Sequence, residues 1–509
     1  MKKSGQDPDL IASTQDQEPA GAAPDASLDS LFTNASTWGL EQGRNSGSPD
    51  AEAARDSAAS AASKLTDGSR IAVIGGGPAG SLFSYFLLKT LDLVDTQVEL
   101  DIYEPRLFTH SGPSGCNHCG GVVSESLVQI LGAEGVLIPE EVVERGIDSY
   151  KMHMDVGAVR IDTPLHEKRI AAVYRGNGPR NSPPAMTTGF DRYLLQLATE
   201  YGANWQRQMV TDLQRHEQGW RLHCADNTAA DYDLVVIACG INSALLIQTE
   251  KLGIKFHRPA TLKTFIAEFK LGKQLIETTF GTSMHVFLLD LPKLEFAALI
   301  PKGDYVTLCM LGDEIDEELV NRFLNSPEVR ECFPENRAPV NACHCFPRIN
   351  VGPARQPYAE GMVFIGDSGV ARLYKDGIGS AYRTAKAAAM TCALHGISES
   401  DFKQHYWPAC RLITRDNTIG KLIFMVCTVI QKLKFTRRAV LRMVVLEQTL
   451  EGRKPRMSSV LWDVFTGSAP YTDVLLRTMH PAFLGHLCWN LVVANLPPIH
   501  AADKKVTAT

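Results

Sequence analysis

The amino-acid sequence predicts an α/β fold, in which a three-layer domain carries an inserted antiparallel β domain and a C-terminal helical region. Three observations lead to this prediction. A β-branched strand runs into a glycine-rich turn and an apolar helix at 70–91. A second apolar strand, at 362–365, ends in Gly-Asp and leads through a loop into a helix of small residues. Beyond residue 400, apolar residues recur at helical spacing.

The first strand–turn–helix motif reads RIAVIGGGPAGSLFSYFLLKTL. Gly75 permits the tight turn, Gly77 lets the backbone approach a pyrophosphate, and Gly80 lets the helix pack closely on the strand. Pro78 and Ala79 complete the turn. The phosphates would lie at the helix N-terminus, where free N–H groups and the helix dipole favour anions. The motif predicts a dinucleotide site.

A carboxylate follows the next strand, which is predicted over 98–103. Glu104 lies 24 residues after Gly80, where it can accept hydrogen bonds from both ribose hydroxyls of an adenosine. Arg106 is assigned to the same site. These residues do not separate FAD from NAD.

The second motif, MVFIGDSGVARLYKDGIGSAYRTAKAAA, makes that distinction. A flavin needs a second element, because its ribityl chain and ring extend beyond the pyrophosphate. After Gly366, Asp367 can hold a ribityl hydroxyl. The amides near Gly377, Ile378 and Gly379 begin a helix that would stabilise negative charge on the reduced ring. FAD is therefore the predicted cofactor.

Together the motifs resemble those of the flavoprotein superfamily that contains geranylgeranyl reductases and aromatic hydroxylases, over about residues 70–400. The segment GCNHCGGVVSESL looks like the Cys-Gly segment that the reductases place beside the flavin, which puts Cys119, Gly120 and Gly121 at that motif. The resemblance implies an FAD-binding Rossmann-like domain, with Cys119 as the candidate catalytic residue.

Two further segments bear on the branch of the superfamily. FAALIPKGDYVTL resembles the family's hairpin at the substrate face, with residues 301–304 as its turn. In LVVIACGINS, Cys239 stands where the hydroxylases carry an Asp near the cofactor phosphates. This departure disfavours a monooxygenase and leaves the electron donor open among NAD(P)H, ferredoxin and a quinol.

The resemblance implies an oxidoreductase that reduces C=C bonds of a geranylgeranyl or other isoprenoid lipid. A hydride would come from the reduced flavin and a proton would reach the neighbouring carbon. The expected partners are a lipid-like small molecule and the electron donor. One alternative is an FAD-dependent monooxygenase or quinone-type oxidoreductase on the same fold. Another is a non-catalytic flavin-binding membrane adaptor.

Charge is uneven along the chain. Residues 1–68 carry 5 basic and 11 acidic residues, so their charge of −6 equals that of the whole chain. Their composition, rich in Ala, Ser, Gly and Asp, predicts a disordered acidic tail. The nearly neutral remainder has no global field for nucleic acid, and we expect no nucleic-acid partner.

The cysteines leave several interpretations open. Cys119 can line the flavin, form a redox dithiol with Cys116, or share a metal site with the Cys-His-Cys at 343–345. The flavin-lining role is favoured, and no metal site is expected. His153 and His285 have no partner evident from the sequence. No HExxH helix, P-loop or Ser/His/Asp elbow supports hydrolase or phosphate chemistry.

The C-terminal region is basic and has an apolar helical face over 419–433. The helix either packs on the core or lies on an anionic membrane surface beside a lipid tunnel. No apolar run reaches the roughly 18 residues of a spanning helix. MKKSGQDPDL has no signal-peptide core. The predicted location is cytoplasmic, with a peripheral position at the cytoplasmic face of the membrane as the alternative.

These elements give a predicted domain organisation: a disordered acidic tail at 1–68, the first part of the FAD-binding domain at 69–255 with a substrate-domain strand near 151–175, the substrate-domain β-sheet at 256–349, the second part of the FAD-binding domain at 350–400, and the helical region at 401–509.

Overall fold

The computed structural model describes residues 64–112, 119–164, 168–180, 189–216, 219–336, 338, 341, 343–450, 452 and 454–496. Cys116 and most of the predicted tail lie outside these ranges. The described chain begins just before Asp67 and Gly68, which hydrogen-bond to the backbone of Gln97 at 2.8 Å each.

The strands belong to five sheets. Their bounds are β1 Arg70–Ile74, β2 Glu99–Tyr103, β3 Val122–Val123, β4 Val143–Ile147, β5 Ser149–Met154, β6 Gly157–Asp162, β7 Ile170–Val173, β8 Asn204–Gln206, β9 Val210–His216, β10 Gly219–Cys224, β11 Ala229–Tyr232, β12 Leu234–Ile237, β13 Thr261–Lys263, β14 Phe265–Lys270, β15 Ser283–Phe287, β16 Leu294–Lys302, β17 Tyr305–Gly312, β18 Cys343–Cys345, β19 Arg348–Asn350, β20 Tyr358–Ala359 and β21 Met362–Phe364.

The helices are longest near the C-terminus. The α-helices are Pro78–Leu93, Glu125–Ala133, Phe190–Glu200, Leu245–Thr249, Lys273–Thr279, Glu317–Leu324, Pro327–Arg330, Gly377–Leu394, Glu399–Asp401, Trp407–Lys432, Lys434–Thr449, Arg456–Thr466, Tyr471–Thr478 and Pro481–Val493. Short 3-10 turns occupy Glu140–Val142, Pro334–Asn336 and Gly366–Ser368, and a π-helical turn occupies Phe402–Tyr406.

The central sheet has the order β20-β21-β12-β1-β2-β8, with β1 parallel to both of its neighbours. Successive side chains of a strand point to opposite faces. Ile71 and Val73 therefore pack against one layer, of helices, whereas Ala72 and Ile74 pack against the antiparallel β9–β11 sheet. This helix–sheet–sheet arrangement confirms the predicted three-layer fold class.

The second large sheet has seven strands in the order β18-β14-β17-β16-β15-β5-β6, and only β15 and β5 pair in parallel. The predicted hairpin is present as β16 and β17. Its turn is shorter than expected, because Pro301 and Lys302 pair with Val306 and Tyr305 inside the sheet. The turn itself consists of Gly303, which has φ +48°, and Asp304.

The C-terminal helices cover one face of this second sheet. In the helix Trp407–Lys432, Ile423 is buried against the sheet, whereas Leu422, Val426 and Val429 are exposed. The predicted apolar face is therefore divided between the core and the surface. Leu433 adopts an extended conformation and ends this helix. Within the described part of the chain, every helix is too short or too polar to cross a membrane.

Candidate active site

The glycine turn between β1 and the following helix is required by the fold at two of its three predicted positions. Gly75 has φ +112°, and an added Cβ would lie 2.5 Å from the Ala238 carbonyl oxygen. At Gly80 an added Cβ would lie 2.0 Å from the carbonyl oxygen of Gly75. Gly77 differs, because an added Cβ would meet nothing nearer than 3.4 Å, the Arg175 guanidinium. Contacts within the protein therefore do not require glycine at position 77. A ligand that lies against the backbone there would require it.

The predicted ribose-binding carboxylate lies beside this turn. Glu104 is buried at the end of β2 and accepts a hydrogen bond from the Gly76 amide at 3.1 Å. Arg106 donates to both of its oxygens, Nε to Oε1 and Nη2 to Oε2, each at 2.9 Å. A ribose at Glu104 would share the carboxylate with Arg106. Pro78 and Ala79 are buried in the first helical turn.

A buried ion pair, which sequence reasoning missed, adjoins Gly77. Arg175 donates two hydrogen bonds of 2.9 Å to Asp191, one to each carboxylate oxygen. Burial lowers the pKa of Arg175, but attraction to Asp191 and Asp367 outweighs burial and raises it overall. The pair thus holds a fixed cation near Asp367 and the glycine turn. The spacing of the two residues along the chain has no recognisable period that would have indicated the pair.

Replacing Asp191 by Asn should lower the free energy of unfolding by about 3–5 kcal/mol, because it leaves the Arg175 charge without its partner in the interior. The control is Glu99→Gln in the exposed Arg70–Glu99 pair, which should cost about 0–1 kcal/mol. Denaturant unfolding of both variants measures the difference. Equal, small losses would contradict the structural role assigned to the Arg175–Asp191 pair.

The second predicted motif meets the first at Gly366. Its φ is +58°, and an added Cβ would lie 2.8 Å from the Cβ of Ala79 in the first motif. Asp367 follows, and its carboxylate makes no hydrogen bond with the residues the structure describes. Burial raises the pKa of Asp367, and Arg175 opposes that shift. A partly exposed acid without a donor is suited to a ligand hydroxyl.

The predicted helix begins at Gly377, and a side chain of the protein caps its N-terminus. Asp376, at φ +56°, caps this helix, and its Oδ1 accepts the Gly379 amide at 3.1 Å. The Gly379 N–H is thus used inside the protein rather than presented to a ring. Gly377 is exposed and Ile378 is buried. The sequence did not indicate that Asp376 would occupy this helix end.

The Cys-Gly-Gly segment lies against the second sheet. Cys119 Sγ accepts a hydrogen bond from the Gly121 amide at 3.3 Å. Gly121 has φ +64°, and an added Cβ would lie 1.9 Å from the Val173 carbonyl oxygen. A Cβ on Gly120 would lie 2.7 Å from Cys309 Sγ on β17. Both glycines are therefore needed for the close approach of this loop to the sheet.

Lys302 is a further residue that sequence reasoning did not assign to this site. Its side chain is fully buried, and its Nζ makes no hydrogen bond within the described chain. The ammonium lies 4.7 Å from the centroid of the Tyr174 ring. It points at the loop, since an added Cβ on Gly121 would lie 2.9 Å from Nζ. A buried cation of this kind is suited to an electron-rich ligand group.

Lys375, in the loop after Asp367, was also missed. Its Nζ lies 3.9 Å from the centroid of the Phe296 ring and 5.8 Å from that of Phe465. Burial lowers the pKa of Lys375 to about 7. Burial also raises the pKa of Cys309 to about 12, so this thiol is protonated at neutral pH. Lys375 can therefore exchange a proton near neutral pH.

An apolar cavity of about 560 Å³ lies beside the same loop. It is bounded by the second sheet, the loop before Lys375 and the helix Trp407–Lys432. Its lining residues are Leu262, Glu295, Val351, Leu373, Tyr374, Lys421, Phe424, Met425, Thr428, Val429 and Lys432. The cavity offers a mostly apolar surface with charged groups at its edge.

Cys239, the departure from the hydroxylase pattern, lies next to the second motif. Its Sγ is 3.9 Å from the Ser368 hydroxyl, and the Gly240 amide donates to that hydroxyl at 2.9 Å. Burial raises the pKa of the Cys239 thiol. The Cys therefore stands close to Asp367 as a neutral group, where an Asp would add negative charge.

No protein family matches the chain, and neither does any curated protein. Several solved structures do match the chain. A geranylgeranyl bacteriochlorophyll reductase-like protein from Thermoplasma acidophilum is 14% identical, over 81% of this chain and 99% of that one, with a TM-score of 0.57. A halogenase variant in complex with FAD is 12% identical, over 84% and 91%, with a TM-score of 0.52. A flavin-dependent brominase is 14% identical, over 79% and 94%, with a TM-score of 0.51. The chain therefore has the fold that these flavin-binding halogenases and the reductase-like protein share.

Proposed function

We propose that this chain is an FAD-dependent oxidoreductase that reduces C=C bonds of a geranylgeranyl or related isoprenoid lipid. The observation that carries the proposal is the apolar cavity lined in part by Leu373 and Tyr374, which directly precede Lys375 in the chain. Lys375 lies near Cys309, and Gly120 approaches the same cysteine. The shared fold with a reductase-like protein supports the choice, and the altered residue at Cys239 supports it over hydroxylation.

The residues present fit FAD at four separate points. Gly77 leaves open space at the start of a helix, where a pyrophosphate would bind. Glu104 and Arg106 would hold the adenosine ribose. Asp367 would accept a ribityl hydroxyl, since its carboxylate has no donor within the described chain. Lys302, an orphaned buried cation, would face the electron-rich part of the ring system.

Bound FAD, when reduced, supplies a hydride to one carbon of the double bond. The chain must then supply a proton to the other carbon and keep the alkene apart from water. Lys375 is the proposed donor, because it carries an exchangeable proton near neutral pH. Its neutral amine is reprotonated from solvent, since the side chain is only half-buried. Cys119 is proposed to shape the alkene pocket at the loop.

The proposal is tested by anaerobic reduction of the purified, FAD-loaded protein with dithionite, followed by addition of geranylgeranyl diphosphate. Return of the oxidised flavin spectrum and a product with two more hydrogens per reduced bond are expected. In D₂O, two deuterium atoms should enter at each bond, because the hydrogen on the dithionite-reduced flavin also comes from solvent. Oxygen-dependent hydroxylation or halogenation instead would overturn the reductase assignment, and loaded FAD that no donor reduces would favour the adaptor alternative.

We also propose a peripheral membrane contact through the helix Trp407–Lys432. Met425, Val426 and Val429 are 58%, 50% and 47% exposed, and lysines flank them. Met425 and Val429 also line the cavity, so it adjoins this apolar surface. An amphipathic surface with basic edges favours anionic lipid.

The double change Met425→Lys and Val429→Lys should reduce flotation with anionic phosphatidylserine vesicles at least about 10-fold, because each buried apolar side chain is worth about 1.5–3 kcal/mol. The matched control places Lys at Leu93 and Leu137, which are 81% and 72% exposed elsewhere. Equal flotation of the two double variants would contradict the proposed contact.

A further inference from the structure

Two histidines and a cysteine meet inside the second sheet, far apart in sequence. His153 lies on β5, His285 on the parallel neighbour β15, and Cys332 just after the helix Pro327–Arg330. All three are buried. They lie on the sheet face opposite the proposed active site, because Met152 and Val286, their neighbours along the strands, pack with Phe296 on the other face.

The distances among the ligating atoms are those of a metal centre. His153 Nε2 and His285 Nδ1 are 3.2 Å apart, and His285 Nδ1 and Cys332 Sγ are 3.3 Å apart. All three atoms lie within 4.8 Å of one another. Metal bonds of about 2.0–2.3 Å to nitrogen and sulfur separate neighbouring ligand atoms by about 3.3–3.7 Å. Little movement would bring the three atoms onto one ion.

We propose that His153, His285 and Cys332 form a binding site for a monovalent soft metal ion, copper(I). Thiolate and imidazole ligands suit soft metals, and the group contains no carboxylate oxygen of the kind that harder ions prefer. Three ligands satisfy copper(I), whereas a structural zinc ion takes four.

The surroundings favour one positive charge over two. The Phe287 ring stacks on His153 at 4.7 Å, and the Phe280 ring lies 4.6 Å from His285. A thiolate neutralises a monovalent ion, but a divalent ion would leave a net charge in this apolar interior, which is costly.

A bound ion must displace the thiol proton of Cys332. Without an ion, the Cys332 thiol can donate to the Glu328 carbonyl at 3.6 Å. The competing interpretation is thus a hydrogen-bonded cluster.

Anaerobic titration of the full chain with copper(I), in competition with a chromogenic copper(I) chelator, separates the two interpretations. We expect one tight equivalent in the wild type that is lost in Cys332→Ser and kept in Cys224→Ser, which changes a buried cysteine away from both histidines. No difference between these variants would overturn the site.

A measurement on the wild type keeps the test independent of variant folding. X-ray absorption of the protein loaded with one equivalent of copper(I) should show one sulfur and two nitrogen ligands. Sulfur-only ligation, or preferential retention of zinc over copper(I) at these ligands, would overturn the assignment. Because the site lies away from the cavity, its failure would leave the proposed reductase function untouched.

Discussion

Gly77→Ala is expected to give a folded protein whose affinity for FAD is roughly 10- to 100-fold weaker, because a methyl group would occupy the space where backbone approaches the pyrophosphate. The fold itself should tolerate the change. The added Cβ would lie 3.4 Å from the Arg175 guanidinium, which is ordinary contact, and Gly77 has an extended backbone that any residue adopts. Loss of FAD would therefore report on the cofactor and not on folding.

FAD content after purification, and titration of the apoprotein with FAD, measure the effect, and thermal unfolding of the apoprotein checks the fold. Gly485→Ala is the control, because an added Cβ there meets no atom within 4 Å. Asp367→Ala should weaken FAD through the ribityl chain. Full FAD occupancy in both Gly77→Ala and Asp367→Ala would refute the cofactor assignment.

Lys375→Met should slow reoxidation of the reduced protein by the prenyl substrate about 100-fold or more, since a positioned acid contributes roughly 10²–10⁴-fold to proton transfer. Dithionite should still reduce its bound FAD. In the wild type the rate should fall as pH rises through about 7, where Lys375 loses its proton, and in the variant this dependence should disappear. Lys421→Met at the cavity edge is the matched control.

The apoprotein gives a second readout for Lys375. Its pKa is about 7 when folded and about 10.4 when unfolded, so the unfolded chain binds one more proton between these values. The stability of the wild type relative to Lys375→Met should therefore rise with pH across that window. If the relative stability does not change with pH, the lowered pKa of Lys375 is wrong. If it rises but the substrate rate is unchanged in Lys375→Met, Lys375 is not the proton donor.

The sequence predicted those parts of the molecule whose structure is determined by residues close together in the chain. Gly80 is dictated by its contacts with Val73 and Gly75 in the same strand–turn–helix unit, and Gly75 by the φ of +112° in its turn. The β16–β17 hairpin follows from its own alternation of side chains. The fold class is confirmed for the same reason. The roles in FAD binding and catalysis stay predictions, because they concern groups outside the chain.

The residues that sequence reasoning missed depend on contacts between distant segments. Arg175 can be recognised as a site residue only in the folded structure, where it pairs with the buried Asp191. Lys302 can be recognised only where Gly121 contacts the second sheet. Lys375 reads as an ordinary loop lysine until Phe296 and Phe465 enclose it. The cap at Asp376 was missed because the sequence does not show which side chain will cap a helix.

The contact between Gly366 and Ala79 determines when the cofactor site can be assembled during synthesis. The glycine turn emerges early, but its partner segment follows nearly three hundred residues later, and the Gly366 amide is fixed by the still later Thr384 hydroxyl at 2.9 Å. β21 must also add beside β12 before this segment is in place. Since domains form from the N-terminus as the chain elongates, the nascent protein holds an open, half-built nucleotide site through most of its translation. Capture of the proposed flavin would thus wait until residues 366–384 have been made and have packed against the glycine turn.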